Sequence, residues 1–236
     1  MSIKAVLFDL DGTLLPMDQD LFLKSYLGML SKKLAPIGYD PKALVEAIWQ
    51  GTGAMIKNNG DTTNEVAFWN EFCKLFGNDA AKDIPIFEDF YSCEFQRIKE
   101  VCGYTPEAAI IVRELKKMGI RVVLATNPIF PKIATVSRVR WAGLEIDEFE
   151  LYTTYENSVH CKPNPEYYRD ILRQMKLDPE ESLMVGNDIS DDMSAETIGM
   201  KVFLLTDCLI NHAQKDISAY PNGGFKQLRE YIRTTM

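Results

Sequence analysis

Residues 3–13 read Ile3-Lys4-Ala5-Val6-Leu7-Phe8-Asp9-Leu10-Asp11-Gly12-Thr13, and this stretch decides the fold. The apolar run from Ile3 to Phe8 has the near-continuous hydrophobicity of a parallel strand buried on both faces. Asp9 and Asp11 follow it two residues apart, a spacing that puts both carboxylates on one face of an extended chain. Gly12 permits a sharp turn or a close backbone approach. Two acids displayed together need a cation, a proton or both. They also stand just past the C-terminal end of a first strand, where open α/β sheets bind ligands. Asp and Gly are ordinary turn formers as well, so the stretch alone reads equally as a turn.

Outward from that strand the pattern changes twice. Between Met17 and about Gly103 it is helical throughout. Asp40-Pro41 is an N-cap with proline at the first helical position, Thr62 or Thr63 caps a run that stops at Gly77, and Ile86 to Val101 reads as one further helix. This insert of roughly 85 residues has the size of a small domain. After Gly103 strands and helices alternate. Helices are expected from Thr105 to Lys117, Pro131 to Trp141, Pro165 to Met175, Asp191 to Ile198 and Gly224 to about Thr234. Strands are expected at Ile120–Ala125, Phe149–Thr153, Ser182–Val185 and Lys201–Leu205. Such alternation implies right-handed crossovers and a parallel sheet covered on both faces. The fold class is therefore α/β: a Rossmann-like parallel core, residues 1–16 and 104–236, with an all-helical cap, residues 17–103, inserted after the first strand. The linkers near Leu14–Asp18 and Cys102–Thr105 must lie close together. A lid hinged there, beside Asp9 and Asp11, suits the exclusion of water.

Composition narrows the function classes. The 236 residues carry a net charge of −8 and no basic stripe, which argues against a duplex nucleic-acid binder. An anionic substrate then needs local cations, helix N-termini or a metal to attract it. Five irregularly spaced cysteines without Cys-x-x-Cys favour reduced thiols over disulfides or zinc. No apolar run approaches the roughly 18 residues of a membrane span. A cytoplasmic protein acting on small molecules is the expectation, with no membrane or nucleic-acid partner.

Three later strand ends carry polar residues suited to one site. Thr126-Asn127-Pro128 offers a hydroxyl and free N–H groups for an anion, or equally an ordinary helix N-cap. Lys162 in His160-Cys161-Lys162-Pro163-Asn164-Pro165 is held by two prolines. A lysine fixed in this way could neutralise an aspartate and a phosphoryl group, or it could be a solvated loop lysine. Gly186-Asn187-Asp188-Ile189-Ser190-Asp191-Asp192 crowds acids at a strand end, at a cost unless a cation binds. Oxygen donors without His or Cys favour magnesium over zinc, although the helix dipole alone attracts acids to such a position.

The ordered set resembles the haloacid dehalogenase-like hydrolase superfamily. Asp9 to Thr13 matches its Asp-x-Asp-Gly-Thr motif, Thr126 its second, Lys162 its third and Gly186 to Asp192 its acidic fourth. The helical insert after the first motif agrees in position and type. The resemblance implies a magnesium-dependent phosphatase acting on a small phosphorylated metabolite. Asp9 would be the nucleophile and Asp11 the acid/base. Thr126, Asn127 and Lys162 would hold phosphoryl oxygens. Mg²⁺ would sit on Asp9, Asp188 and the Asp11 carbonyl, with Asn187 and Asp192 in support. One departure is that Asn187 stands where many members carry aspartate, which leaves open whether Asp188 or Asp192 lies nearer the metal. A phosphomutase is the alternative. A haloacid dehalogenase, which needs neither Asp11 nor magnesium, and a non-catalytic binding protein fit less well. His160 is expected on the surface, Cys161 as a structural thiol, and Trp49, Trp69 and the cap phenylalanines in the cap core, with room for one or two of them to face substrate.

Overall fold

The strand that opens the chain, β1 (Ala5–Phe8), is buried at every residue. Its side chains alternate between two layers. Val6 and Phe8 face one core, and Ala5 and Leu7 face the other. In the computed structural model, which describes residues 2–235, β1 is the centre of a six-stranded, all-parallel sheet. The other strands are β2 (Arg121–Leu124), β3 (Leu151–Tyr152), β4 (Ser182–Gly186), β5 (Lys201–Leu205) and β6 (Asn222–Gly223), in the order β3-β2-β1-β4-β5-β6. The chain winds outward from β1 through β2 and β3, then crosses back to β4. The order therefore reverses between β1 and β4, where a crevice opens beyond the strand ends.

Helices α1 (Gln19–Leu34), α2 (Pro41–Ile56), α3 (Asn64–Phe76) and α4 (Ile84–Ser92) make up the insert with intervening 3₁₀ turns. Asp18, Asp40 and Thr63 cap the first three by accepting backbone N–H bonds. The two linkers pair: Met17 bridges Cys102 antiparallel, and the Gly103 N–H donates to the Pro16 carbonyl at 2.7 Å. Helices α5 (Pro106–Lys117), α6 (Lys132–Trp141), α7 (Pro165–Met175) and α8 (Phe225–Thr235) complete the alternating half. Residues of α5, α6 and α8 join the Val6/Phe8 core, which continues into the insert, whereas α7 packs on the Ala5/Leu7 face.

Local chemistry accounts for the differences from expectation. The stretch read as one helix from Ile86 to Val101 breaks at Cys93 (φ −113°, ψ −83°) and resumes as a 3₁₀ turn over Glu94–Val101. The helix expected over Asp191–Ile198 is a 3₁₀ turn at Met193–Ile198. The Asp188 carboxylate draws the N–H groups of Ser190 and Asp191 into a turn before it, the competition that Asp side chains offer to helix. The strand expected at Phe149–Thr153 pairs only over Leu151–Tyr152. The two-residue β6 was unforeseen, since Asn222-Gly223 has no strand pattern. Among the described residues no helix is long and apolar enough to cross a membrane.

Candidate active site

Asp9 follows β1 directly and extends its ladder, its N–H donating to the Val185 carbonyl at 2.9 Å. The chain then turns: the N–H groups of Thr13 and Leu15 both return to the Leu10 carbonyl, and Gly12 has φ +85°. A Cβ at Gly12 would also overlap the Asn187 side chain. Asp9, Asp11, Thr126, Asn127, Lys162, Asn187, Asp188, Asp191 and Asp192 all line one cavity of about 200 Å³ at the β1/β4 crevice.

Lys162 is the pivot. Its side chain is 1% exposed, and its ammonium donates to Asp9 Oδ1 at 2.9 Å and to Asp192 Oδ1 at 2.6 Å. The second Asp192 oxygen accepts the Asp188 N–H at 2.9 Å. Gly186 is required here because a Cβ would run into the Asp192 carboxylate. Asn127 ties three segments together, its Oδ1 accepting the Lys162 N–H at 3.2 Å and its Nδ2 donating to Asp191 at 3.2 Å. Thr126 is buried, its carbonyl held by the hydroxyls of Thr153 and Tyr167 at 2.6 and 2.8 Å. It caps no helix: α6 begins six residues later, after Pro131.

Two expected metal supporters have other work. Asn187 Oδ1 accepts the Thr13 hydroxyl at 2.9 Å, and its Nδ2 donates to the Cys208 carbonyl at 2.7 Å. Asn187 is thus a strut between two loops with both amide atoms engaged. Asp192 is the buried counter-ion of Lys162. Asp188 keeps Oδ2 free while Oδ1 caps the following turn.

Sequence reasoning missed Arg138. It is 0% exposed, lies 4.3 Å above the Phe130 ring and pairs with Asp11 Oδ2. Its position held a signal. Ala134, Arg138 and Trp141 share the buried stripe of α6 at helical spacing, and a cation on such a stripe needs a partner. Asn64, also missed, is buried at the N-terminus of α3, and its Nδ2 donates to the Pro128 carbonyl at 3.1 Å and to Cys161 Sγ at 3.2 Å. It joins the insert to the loops carrying Thr126 and Lys162. His160 is not a surface residue, since its side chain is 11% exposed and Nδ1 lies 2.7 Å from Asp170. Burial pushes the Cys161 thiol up to about 12, which disfavours the thiolate.

The charges do not balance. Five carboxylates line the cavity, against Lys162 within it and Arg138 behind Asp11. Burial pushes the Asp9 carboxyl up to about 7, with Asp192 and Asp11 adding to the rise and Lys162 opposing it. Burial likewise lifts Asp191 to about 6. Asp11 Oδ1 is buried without a hydrogen-bond partner. Among the described residues no three His, Cys, Asp or Glu side chains are gathered as a metal cluster. Magnesium does not require one: it takes one or two carboxylates and keeps several waters. An oxygen-only donor set with surplus negative charge fits a small hard cation.

Arg138 yields a direct expectation. Arg138→Met should lower kcat by about 100-fold with KM little changed, because Asp11 loses the guanidinium contact that orients it. Arg138→Lys should recover part of that loss. Steady-state kinetics on both variants check this, and equal loss in the two would count against an orienting charge.

A family model for haloacid dehalogenase-like hydrolases matches residues 3–199. The pyrophosphatase PpaX of Bacillus cereus is 27% identical over 85% of this chain and 82% of its own length. Among solved structures, a 2-haloacid dehalogenase from Pseudomonas syringae superposes with TM-score 0.66 at 21% identity, covering 98% of this chain and 99% of that one. A phosphatase from Thermococcus onnurineus superposes with TM-score 0.61 at 20% identity, covering 98% of both. At these identities the two structures speak to the fold. The match of the family model over most of the chain, on a sheet with this order and this strand-end cavity, places the protein among the haloacid dehalogenase-like hydrolases.

Proposed function

We propose that the protein is a magnesium-dependent phosphatase that hydrolyses a small phosphorylated metabolite through an aspartyl-phosphate. The observation that carries this is the buried Asp9–Lys162–Asp192 chain, with the Arg138-bound Asp11 opening on the same cavity. Asp9 attacks phosphorus and forms an acyl phosphate while the ester oxygen departs. That oxygen takes a proton from Asp11, which in the second step takes a proton from the attacking water as Asp9 is freed. Arg138 holds Asp11 Oδ2 while Oδ1 is buried without a protein partner, so the guanidinium fixes the carboxyl that carries the proton. Lys162 and the Thr126 hydroxyl face the transferring oxygens and offset their charge. Asp9, Asp188 and the Asp11 carbonyl would hold magnesium, which when bound neutralises the clustered acids and the phosphoryl charge. A dehalogenase has no use for Asp11 as a proton carrier, and the oriented Asp11 favours phosphoryl transfer.

The test couples activity to stability. Hydrolysis of phosphate monoesters should require magnesium. The raised Asp9 and Asp191 carboxyls favour the protonated form in the fold. Their contribution is therefore fully present below the ordinary carboxylate range and is lost as pH rises through about 6 to 7. Magnesium should offset this loss. At a hundred times its dissociation constant it should raise Tm by roughly 5 °C at pH 7.5 and by less at pH 5. A magnesium effect that is larger at the lower pH, or hydrolysis indifferent to a chelator, would overturn the reading.

A further inference from the structure

The catalytic cavity adjoins a second, larger one of about 610 Å³, and Leu23, Trp49, Ile129 and Phe130 line both. A phosphoryl group held at Asp9 and Lys162 sits in the smaller cavity, and its ester substituent can extend past the shared residues into the larger. That volume is typical of a site that encloses a whole organic ligand. Its walls are rings from the insert together with side chains of α6 and the loop after β3. The Trp69 ring meets Phe68 edge-on at 5.2 Å and Phe87 at 5.1 Å, so the rings brace one another. Trp49 is half exposed although tryptophan favours burial, and it stands at the junction of the two cavities.

The charged groups in the wall are asymmetric. Glu65, Glu88 and Glu156 supply three carboxylates. Two cations also line the wall: Lys132, 5.7 Å above the Tyr152 ring and in the field of Glu156, and Arg140, 3.3 Å from Glu145 where both side chains are 62% exposed. Both Glu156 oxygens accept the Lys132 backbone N–H, at 2.8 and 3.0 Å. The Glu65 carboxyl is raised by burial, then by Glu156 and Glu88, so the three acids share one field. The Trp69 indole N–H is buried beside Tyr155 and finds no acceptor in hydrogen-bonding geometry.

We infer that the substrate is the phosphate monoester of a large, aromatic or otherwise apolar alcohol that carries no second anionic group. This rests on the phosphatase reading. A ring-bearing body moves apolar surface out of water against fixed aromatic walls. A glycolate or a second phosphate would leave most of the 610 Å³ unused and set an anion against three carboxylates. Pyrophosphate, to which the name of the Bacillus pyrophosphatase points, is therefore disfavoured here. A neutral or cationic far end is favoured.

The test compares kcat/KM with magnesium for ethyl phosphate, 2-(2-naphthyl)ethyl phosphate, phosphoglycolate and pyrophosphate. The first two are esters of primary alcohols, which removes leaving-group acidity from that comparison. The naphthylethyl ester should exceed the ethyl ester by about 100-fold or more. Phosphoglycolate and pyrophosphate should fall at or below the ethyl ester, and a para-ammonium phenethyl phosphate should exceed its para-carboxylate analogue. Thr52 lines only the larger of the two cavities, so Thr52→Phe should cut the naphthylethyl advantage by about 10-fold or more and leave ethyl phosphate turnover unchanged. Binding of 2-(2-naphthyl)ethanol, followed by tryptophan fluorescence at Trp49 and Trp69, gives a readout independent of turnover. Faster cleavage of phosphoglycolate or pyrophosphate than of the naphthylethyl ester would overturn the inference. Ethyl phosphate hydrolysis without naphthylethanol binding would also overturn it while leaving the phosphatase intact. Naphthylethanol binding without hydrolysis of any ester would sustain the ligand class and overturn the phosphatase.

Discussion

Asp9→Asn should abolish steady-state hydrolysis, by roughly 10⁴-fold or more, because an amide cannot form the acyl phosphate. The fold should not suffer. Asp9 is one of five carboxylates around the cavity, and burial already pushes its carboxyl up to about 7. A neutral amide of the same shape removes one like charge, and Lys162 keeps Asp192 at 2.6 Å. Thermal melting at pH 7.5 without magnesium should therefore be unchanged or higher than in the native protein. The same variant should respond less to added magnesium, having lost one proposed ligand. Retained turnover at a tenth of the native rate would remove Asp9 from the nucleophile's place.

Lys162→Met should be the most destabilising single change in the site. The ammonium is buried between two carboxylates, of which Asp192 is 2% exposed. Removing it leaves uncompensated buried charge, at a cost of about 3–5 kcal/mol. The deficit should shrink at low pH, where the acids protonate and no longer need the cation. Activity should be lost as well, since the phosphoryl oxygens lose their buried cation. Lys162→Met combined with Asp192→Asn separates the two roles. The double variant should recover most of the stability, because the amide can still accept the Asp188 N–H that Asp192 now holds at 2.9 Å, yet it should stay inactive. Denaturant unfolding across pH, read beside single-turnover kinetics, checks both halves. A double variant as unstable as Lys162→Met would mean that packing, not charge, explains the loss.

Elements with local punctuation were legible in the sequence. Thr105-Pro106 opens α5 and Asn164-Pro165 opens α7, each with the cap side chain accepting an N–H two residues on. Such signals lie within one turn of the chain and need no tertiary partner. Elements fixed by competition were less legible. The acidic segment after Gly186 has helix-compatible residues, but the Asp188 carboxylate claims the N–H groups of Ser190 and Asp191 first. β6 exists only because β5 offers it an edge to pair with.

The same division holds at the site. The sequence by itself placed Asp9, Asp11, Thr126 and the 186–192 acids at strand ends or just beyond, because a parallel sheet brings all such ends to one rim, whereas Lys162, expected at a strand end too, comes from the loop ahead of α7, ten residues past β3. The sequence also determined an imbalance of acids over bases. Tertiary structure alone decided how each charge is met: Lys162 between Asp9 and Asp192, Arg138 behind Asp11, and Asn187 as a strut to Thr13. The Asp11–Arg138 pair spans 127 positions and the Asp9–Lys162 pair 153. Strand placement follows from local hydrophobic pattern, whereas the pairing of buried charges depends on which helix faces overlie the strand ends, and only packing fixes that.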